Sequence, residues 1–517
     1  MRRVPLLTLV AAATLARPIP LTAQAVERTD TPRRGALRVS FDPRIMTWEQ
    51  VYTPGGRQGI GAAFSGDSVS QTLPAVARLQ QDMRTATGLA GYLATLGHSL
   101  LAVRAERRVM PIRFEYGITS RLSFGITIPI VRVQVRELFQ ARPPGSNLGA
   151  LSQLPEDSAR YSAFFTHLDA ALAQLGDSIA AGAYGCPAGP ACLRAEALLA
   201  QGRTLQLALG RAVYGTPDSA ALYLPLASSD AGRSLTSIVA ALERALVDTF
   251  RVTPFSQDTF LLPATPVHGV VTAGLLATRL SANGLAPYRD TARRLRFFTG
   301  DVELATTYRL LAGRDYAAAA TLLVRLPTGH QDSPNDAFDV ATGDHQLDLE
   351  GRLTQELTLA NRLWVNLSLR GGRQLPGQRE RRVGPAEQLF LPLGALARLR
   401  WDPGDYAAVD VAPMYRFSRT FAAGMTAGYY TQGRDRYTFL SAQDSTALAA
   451  RLGGPVSAGV LDVGTAQRHA RLGLAMTYVG SRLEGGFSVE RTVSGAGGPV
   501  PVATVFRIVM RQTIQLF

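Results

Sequence analysis

Histidine, serine and carboxylate residues are the side chains of this sequence that could do chemistry. Their spacing is unlike that of known catalytic or metal sites. No histidine belongs to an HExxH motif or another paired zinc spacing, and no G-x-S-x-G elbow stands at a strand-to-helix turn. A lipase site on the outside of a barrel would need a serine–histidine pair, for which only His469 is a candidate. The sequence predicts a protein that is not an enzyme and that holds no metal and no cofactor. The six histidines are His98, His167, His268, His330, His345 and His469.

An acidic loop between His330 and Asp344 is the one segment that could attract a cation. Carboxylate and amide oxygens are the ligands that Ca²⁺ prefers, but the spacing does not fit an EF-hand. Solvated acidic residues are more common in such loops, and we expect that case here. The oxygen-bearing residues are Asp332, Asn335, Asp336, Asp339 and Asp344.

Two cysteines, Cys186 and Cys192, flank a short Pro-Ala-Gly-Pro segment. In an exported protein this spacing predicts a disulfide that closes a small loop. No histidine lies close to the pair in sequence, which argues against a metal site.

Most other charged residues that could carry function occupy every second position of strand-like segments. If these segments form a barrel, the charges line the lumen. Opposite charges on neighbouring strands can pair, so a rigid, salt-bridged interior is the simpler interpretation and a polar path for a solute is the functional one. The lumen-lining candidates are Arg113, Glu115, Asp301, Glu303, Arg309, Asp348, Glu350, Arg352, Glu356, Arg471, Glu484 and Glu490.

The segment 343–373 shows most clearly how such charges are positioned. From Leu347 to Leu359 leucine recurs at most second positions, alternating with polar residues, and the pattern restarts from Leu363 to Leu369. A period of two predicts strands, and the break at Asn361 predicts a long antiparallel hairpin. One face is Leu/Val and the other is charged, which fits either a soluble sandwich or a membrane barrel.

Similar strands on both sides favour the barrel. We expect strands of about ten residues, longer than is usual in soluble sheets, with aromatic residues near their ends as interfacial girdles and a terminal Phe517. The sequence predicts an all-β transmembrane antiparallel β-barrel of roughly 12–14 strands with an α-helical insertion. The girdle candidates are Tyr116, Tyr308, Trp364, Trp401, Tyr406, Tyr415, Phe421, Tyr429, Tyr430 and Tyr478.

Three features fit this barrel less simply. The apolar set of the segment 122–135 changes phase, which predicts a β-bulge near Pro129. Phe517 falls on the same set as Arg507 and Arg511, not on the apolar set. The predicted strands include Leu389–Trp401. Counted back from Phe517, alternating short and long loops place the tight turns at 402–405 and 418–420 on opposite sides of the membrane, so we expect that one strand has been missed or split.

Helical spacing replaces alternation between residues 138 and 262. Three leucine-rich stripes predict about three helices, which could form a cap, a plug or a separate bundle. A shorter helix is expected near 73–85. The predicted organisation is a signal peptide (1–25), N-terminal barrel strands with a short helical loop (26–137), the helical insertion (138–262) and the main barrel strands (263–517).

The first 25 residues predict export. Arg2 and Arg3 precede a short apolar run, and Ala23-Gln24-Ala25 is a cleavage site, so we expect a secretory signal peptide cleaved near Ala25. The net charge is +14, and all 54 basic residues are arginine. The arginines are scattered, which argues against nucleic acid as a partner. We expect the lipid of the bacterial outer membrane and a small-molecule solute as partners; the oligomeric state cannot be read from the sequence.

The segments EYGITSRLSFGITIPIVRVQV (115–135), GDVELATTYRL (300–310) and VRLPTG (324–329), followed by the hairpin, carry a family resemblance. The chain resembles the outer-membrane family of putative transporters of the meta-pathway of phenol degradation, best over 105–137 and 300–430. The resemblance implies an outer-membrane barrel that takes up small hydrophobic molecules. It brings no binding residues, and the helical insertion is outside the family's core pattern.

The functional prediction is an outer-membrane channel or transporter for small solutes, hydrophobic ones included. The alternative is a structural or adhesive surface barrel whose helical insertion binds a partner.

Overall fold

The computed structural model divides the chain into two compact units. One comprises residues 1–63, 102–137 and 291–517, and the other comprises 64–101 and 138–290. Among the residues described, no helix is long and apolar enough to cross a membrane. The signal peptide predicted for 1–25 lies outside them. The described residues are 28–62, 65–67, 74–142, 144–150, 155–214, 223–255, 260–267, 269–270, 294–313, 315–334, 340–384, 391, 393–480 and 483–516.

In the first unit, twelve strands of the described residues form a closed antiparallel β-barrel. Two of them are interrupted, because β1 with β2 makes the first strand and β10 with β11 makes the fourth. The strands are β1 Ala36–Phe41, β2 Arg44–Trp48, β5 His98–Gly117, β6 Leu122–Arg142, β10 Arg294–Thr299, β11 Glu303–Ala312, β12 Tyr316–Arg325, β13 Asp348–Ala360, β14 Leu363–Gln374, β17 Tyr406–Arg416, β18 Phe421–Gln432, β20 Gln467–Val479, β21 Leu483–Gly497 and β23 Thr504–Gln515.

The ring closes at the first strand. β1 pairs with β5 on one side and with β23 on the other, so that Ser40 stands opposite Arg113 and opposite Arg511. Such closure leaves no unpaired sheet edge, which is what a barrel needs inside a bilayer. The strand count agrees with the lower end of the predicted range.

Short turns join the strands at one end of the barrel and long connections join them at the other. The predicted strand Leu389–Trp401 was wrong as a barrel strand, because β16 (Leu396–Asp402) pairs with β15 (Gly377–Arg382) and β19 (Arg436–Phe439) in a separate sheet. Because this sheet is part of the long connections, every tight barrel turn lies at the same end. The conflict between the turns at 402–405 and 418–420 is thereby removed.

The alternating pattern sorts residues between the two faces as predicted. On β13 Leu349 and Leu357 are exposed, whereas Asp348 and Glu350 are buried. On β23 the exposed set is Phe506, Ile508 and Met510. An apolar outer belt with a polar interior is the arrangement of transmembrane barrels, so the predicted fold class is confirmed.

Four girdle candidates are not on the outer face. Tyr406 and Tyr430 are buried on the inner face, and Trp401 is buried in the small sheet. Trp364 is half-buried on the inner face, where it stands opposite the buried Met414 and packs against it. The others are exposed, Tyr308 and Tyr415 among them. A position near a strand end does not by itself tell which face an aromatic ring takes, because that depends on the strand's register.

The β-bulge predicted in the segment 122–135 was wrong, because the irregularity near Pro129 lies in the neighbouring strand. Thr299 pairs with Ile130 and Glu303 with Thr127, so the three residues 300–302 stand against two residues of β6. β6 itself keeps its faces, since Thr127, Pro129 and Val131 all line the same cavity. The bulge is therefore on the strand made by β10 and β11.

Small elements complete the first unit. β3 (Gln50–Thr53), β4 (Gly56–Gly59) and β22 (Val500–Pro501) form one sheet. Helix α5 (Ala442–Leu452) packs beside the sheet of β15, β16 and β19, where Leu448 joins the cluster around Leu399 and Trp401.

The second unit is mainly helical. Residues of the predicted leucine-rich stripes are buried in it, among them Leu168, Leu172 and Leu235. The short helix near 73–85 is present and packs with the longer ones. The helices are α1 Pro74–Thr87, α2 Pro155–Ala180, α3 Pro190–Tyr214 and α4 Asp230–Arg244, and short strands are β7 Leu148–Ala150, β8 Tyr223–Pro225 and β9 Gly269–Val270.

Candidate functional site

The inner face of the barrel is the candidate site. None of the twelve predicted lumen residues is exposed to solvent. Glu115, Asp301, Asp348, Glu350, Arg471 and Glu490 are buried, and the other six are half-buried.

Arg325 on β12, which the sequence analysis did not single out, connects three of the predicted carboxylates. Its guanidinium lies 3.2 Å from Glu303, 2.9 Å from Asp348 and 3.9 Å from Glu350. Arg325 stands directly opposite both Asp348 on β13 and Glu303 on β11. The cross-strand register therefore places one arginine among three buried or half-buried carboxylates.

Glu350 is fully buried and has further partners. Arg352 lies 2.6 Å from its carboxylate, and the Tyr406 hydroxyl on β17 donates a hydrogen bond to the same group. Ionised carboxylates must be paired or hydrogen-bonded when they leave water. The inner face of the hairpin β13–β14 is thus a network in which negative charges are compensated.

A second compensated group surrounds Asp410 on β17. Arg370 lies 2.7 Å and Arg471 2.9 Å from its two oxygens, and Arg471 also lies 3.8 Å from Glu490. Gly428 on the adjacent strand leaves room for this pair, because a Cβ there would lie 2.5 Å from the Asp410 carboxylate and 2.8 Å from the Arg471 guanidinium. Neither Arg370 nor Asp410 is among the predicted lumen residues; Asp410 is a single charge in an otherwise apolar segment.

The first strand adds charged residues that sequence reasoning also missed. Asp42 accepts two hydrogen bonds from Arg507 at 2.6 and 2.7 Å, and Arg44 lies 2.6 Å from it. Arg38 lies 2.7 Å from Asp30 and 3.6 Å from Glu115. The signal that could have found them is the alternation of Arg38, Asp42 and Arg44 at even positions.

At the turn end of the barrel, Arg28 lies 2.7 Å from the predicted residue Glu484 and 2.9 Å from Asp30. The segment before β1 is held there by Thr31, whose hydroxyl donates to the Ser120 carbonyl at 3.3 Å. Arg309 and Glu356 are half-buried on the inner face.

The bulge carries Asp301, another predicted residue. Its carboxylate accepts the backbone N–H of Gly329 at 2.7 Å and of Asp344 at 3.0 Å. A side chain at Gly343 would collide with this carboxylate. Asp301 thus fastens the loop between β12 and β13 to the barrel wall.

The same loop contains the acidic segment considered for Ca²⁺. Asp332 pairs with Arg379 and lies 2.9 Å from Arg381. Burial would raise the pKa of Asp332, but Arg379 and then Arg381 outweigh it and lower the pKa to about 2. Asn335, Asp336 and Asp339 lie outside the described residues. Within the part of the chain that is described, no three His, Cys, Asp or Glu side chains group as metal ligands.

Residues of the barrel unit line a cavity of about 280 Å³. Nine arginines and six Asp or Glu side chains contribute to its wall, together with Tyr406, Tyr430 and Trp401. Of the predicted lumen residues, five line it: Arg113, Glu115, Asp301, Glu303 and Arg352. Ligand pockets usually measure about 300–1000 Å³, so this cavity suits a small solute.

Two other predicted groups are placed as follows. His469 is buried on the inner face, with its ring 5.0 Å from that of Tyr430, so it cannot serve a catalytic pair on the outside of the barrel. Cys186, in the connection between α2 and α3, forms a disulfide with Cys192 near the start of α3.

No protein-family model and no curated protein matches the chain. Solved structures that it can be superposed on include an outer membrane channel from Pseudomonas putida F1, at 8% identity over 94% of this chain and 98% of that chain, with a TM-score of 0.42. The Pseudomonas putida toluene transporter TodX matches at 11% identity over 98% and 93%, with a TM-score of 0.25. The translocator domain of the autotransporter NalP from Neisseria meningitidis matches at 8% identity over 92% and 88%, with a TM-score of 0.26. The resemblance to the phenol-pathway family stays without a matching model.

Proposed function

We propose that the protein is an outer-membrane channel or transporter for small solutes, hydrophobic ones included. The observation that carries this proposal is a cavity of about 280 Å³ with charged and aromatic walls inside a barrel unit whose outer face is apolar. A lumen that served rigidity alone would pair its charges and fill its space with side chains. Here both a compensated network and a lined cavity are present.

The barrel's two ends suggest its orientation. In bacterial outer-membrane barrels the short turns face the periplasm and the long connections face the outside. By that rule the small sheet of β15, β16 and β19 and the loop fastened by Asp301 would face outward. The predicted export signal agrees with this location.

Conductance across a planar bilayer tests the proposal. We expect discrete current steps from purified full-length protein whose folding is checked by heat-modifiable migration on a gel. Liposome uptake of benzyl alcohol, a small hydrophobic solute, should exceed that of protein-free liposomes. A folded barrel that passes neither ions nor this solute would favour the alternative, a structural or adhesive surface barrel.

A further inference from the structure

Three neighbouring strands of the barrel carry an unusual number of arginines on their inner face. The first strand (β1 and β2) lies between β5 and β23. Six arginines of these strands line the cavity, but only two carboxylates do, Asp42 and Glu115. We name this surface the arginine wall. It consists of Arg38, Arg44, Arg107, Arg113, Arg507 and Arg511.

The strand register brings these arginines side by side. Arg44 stands directly opposite Arg507, and Asp42 bonds both of them. One row away, Arg113 and Arg511 stand on either side of Ser40. Directly opposed residues on adjacent strands lie about 5 Å apart. The short serine therefore leaves a notch between two guanidinium groups. On its other side Arg511 stands opposite Glu484, whose carboxylate lies 2.7 Å from Arg28.

Several donors of this wall have no acceptor from the protein. The Nε–H groups of Arg44, Arg107 and Arg113 are buried and have no hydrogen-bond partner among the described residues. Arg107 is 5% exposed. Buried donors are nearly always paired, so donors left open on a cavity wall suit an acceptor that enters the cavity.

Aromatic side chains line the same cavity. The rings of Tyr406 and Tyr430 are stacked with centroids 5.8 Å apart, and Trp401 also contributes to the lining. Such rings offer apolar contact area at low cost in side-chain entropy. The cavity thus combines a cationic wall with an aromatic patch.

We propose that the notch formed by Arg113, Ser40 and Arg511 binds the carboxylate of a small organic anion whose apolar or aromatic body contacts the aromatic patch. The proposal rests on the proposed function and assigns its solute class. Guanidinium groups match the planar, bidentate geometry of carboxylates. A wall of one sign also raises the local concentration of counter-ions in a cleft. Anionic solutes therefore pass in preference to neutral and cationic ones of the same size.

Three test solutes with the same ring separate charge from shape: benzoate, benzyl alcohol and benzylammonium. Uptake into liposomes that contain the full-length protein is measured for each, after subtraction of protein-free leakage. Benzoate should enter faster than benzylammonium by on the order of tenfold, the low end of electrostatic focusing in charged clefts. In a salt gradient, the reversal potential should show selectivity for the anion. Inorganic phosphate is tested as an oxyanion without an apolar body and should enter more slowly than benzoate.

Two variants and a control locate the effect. Ser40→Asp places a carboxylate between Arg113 and Arg511 and should abolish the preference for benzoate while leaving the arginines in place. The double variant Arg113→Gln and Arg511→Gln should do the same, provided its gel migration shows a folded barrel. Arg400→Gln removes an exposed arginine from the small sheet and should leave the preference unchanged.

The outcomes distinguish this inference from the proposed function. A folded barrel that passes no solute and no ions overturns the proposed function. Equal passage of the three ring solutes, or a preference for benzoate that survives Ser40→Asp, overturns the anion site. Phosphate that enters as fast as benzoate overturns the role of the aromatic patch. If Arg400→Gln also loses the preference for benzoate, selectivity comes from the overall positive charge of the protein and the notch is overturned as its source.

Discussion

The hairpin β13–β14 and the arginine wall are built on the same alternating pattern but treat charge differently. In the hairpin network, Arg325 and Arg352 meet Glu350 within 3.9 Å, and Tyr406 adds a hydrogen bond. On the arginine wall, six arginines share the two carboxylates of the same strands, Asp42 and Glu115, and Asp30 before the first strand pairs with Arg38. Alternation decides which residues face the lumen, whereas the neighbouring strand decides whether a charge is compensated. The first surface should therefore support stability and the second should select solutes.

The largest effect on stability is expected for Arg325→Met. The substitution leaves Asp348 and Glu350 buried without this partner, and breaking a buried pair typically costs about 3–5 kcal/mol. Urea unfolding of the protein in lipid vesicles measures the loss. Arg400→Met, at an exposed position, is the control and should change little. A loss below 1 kcal/mol for Arg325→Met would contradict the structural role assigned to the hairpin network.

The second-largest effect tests whether the outer face of the barrel contacts lipid. Leu322 is 62% exposed on β12. Leu322→Arg should destabilise the barrel by about 2–4 kcal/mol if the residue lies near the bilayer midplane. Leu193 on α3 is equally exposed, at 61%, and Leu193→Arg should have almost no effect. Similar costs for the two variants would argue that both leucines meet the same solvent.

Tyr406→Phe probes one hydrogen bond of the hairpin network. The hydroxyl donates to the buried Glu350 carboxylate, and hydrogen bonds to charged groups contribute about 1.5–3 kcal/mol. Unfolding in urea should show a loss in that range. Tyr429→Phe removes a hydroxyl from an exposed ring, 47% accessible, on the neighbouring strand, and the unfolding midpoint should not move. An unchanged midpoint for Tyr406→Phe would remove Tyr406 from the network.

On the arginine wall, Arg113→Gln should cost little stability. Its guanidinium is 31% exposed and lies 3.6 Å from Glu115, and such loosely held pairs contribute at most about 1 kcal/mol. The same urea titration measures it beside Arg325→Met. If the two variants were destabilised equally, the contrast between the two surfaces would fail.

The smallest effect is a local one at low pH. The pKa of Asp332 is lowered to about 2 because Arg379 and Arg381 outweigh the effect of burial. A lowered pKa stabilises the folded loop fully above the ordinary value of 3.8 and this stabilisation is lost as the pH falls towards 2. The Arg379 guanidinium lies 4.6 Å from the centroid of the Trp401 ring. Fluorescence of a variant with Trp401 as its single tryptophan should therefore change between pH 4 and pH 2. The change should be absent after Asp332→Asn.

Much of the barrel could be predicted because alternation is a local property. The faces of Leu349, Glu350 and Phe506 follow from a period of two, whatever strand lies beside them. The helical stripes and the cysteine pair are local in the same sense. The misplaced segment 389–401 shows the limit, since its strand character was predicted but its sheet was not.

What only the tertiary structure decided is which strands are neighbours. Ser40 and Arg511 are distant in sequence, and barrel closure places them directly opposite each other. The partners of Arg325, the notch at Ser40 and the bulge that carries Asp301 all depend on register between strands. No local pattern encodes that register, because it is set by the pairing of whole strands around the ring. The sequence alone determined an apolar outside and a charged inside, and the folded barrel determined which of those charges are paired.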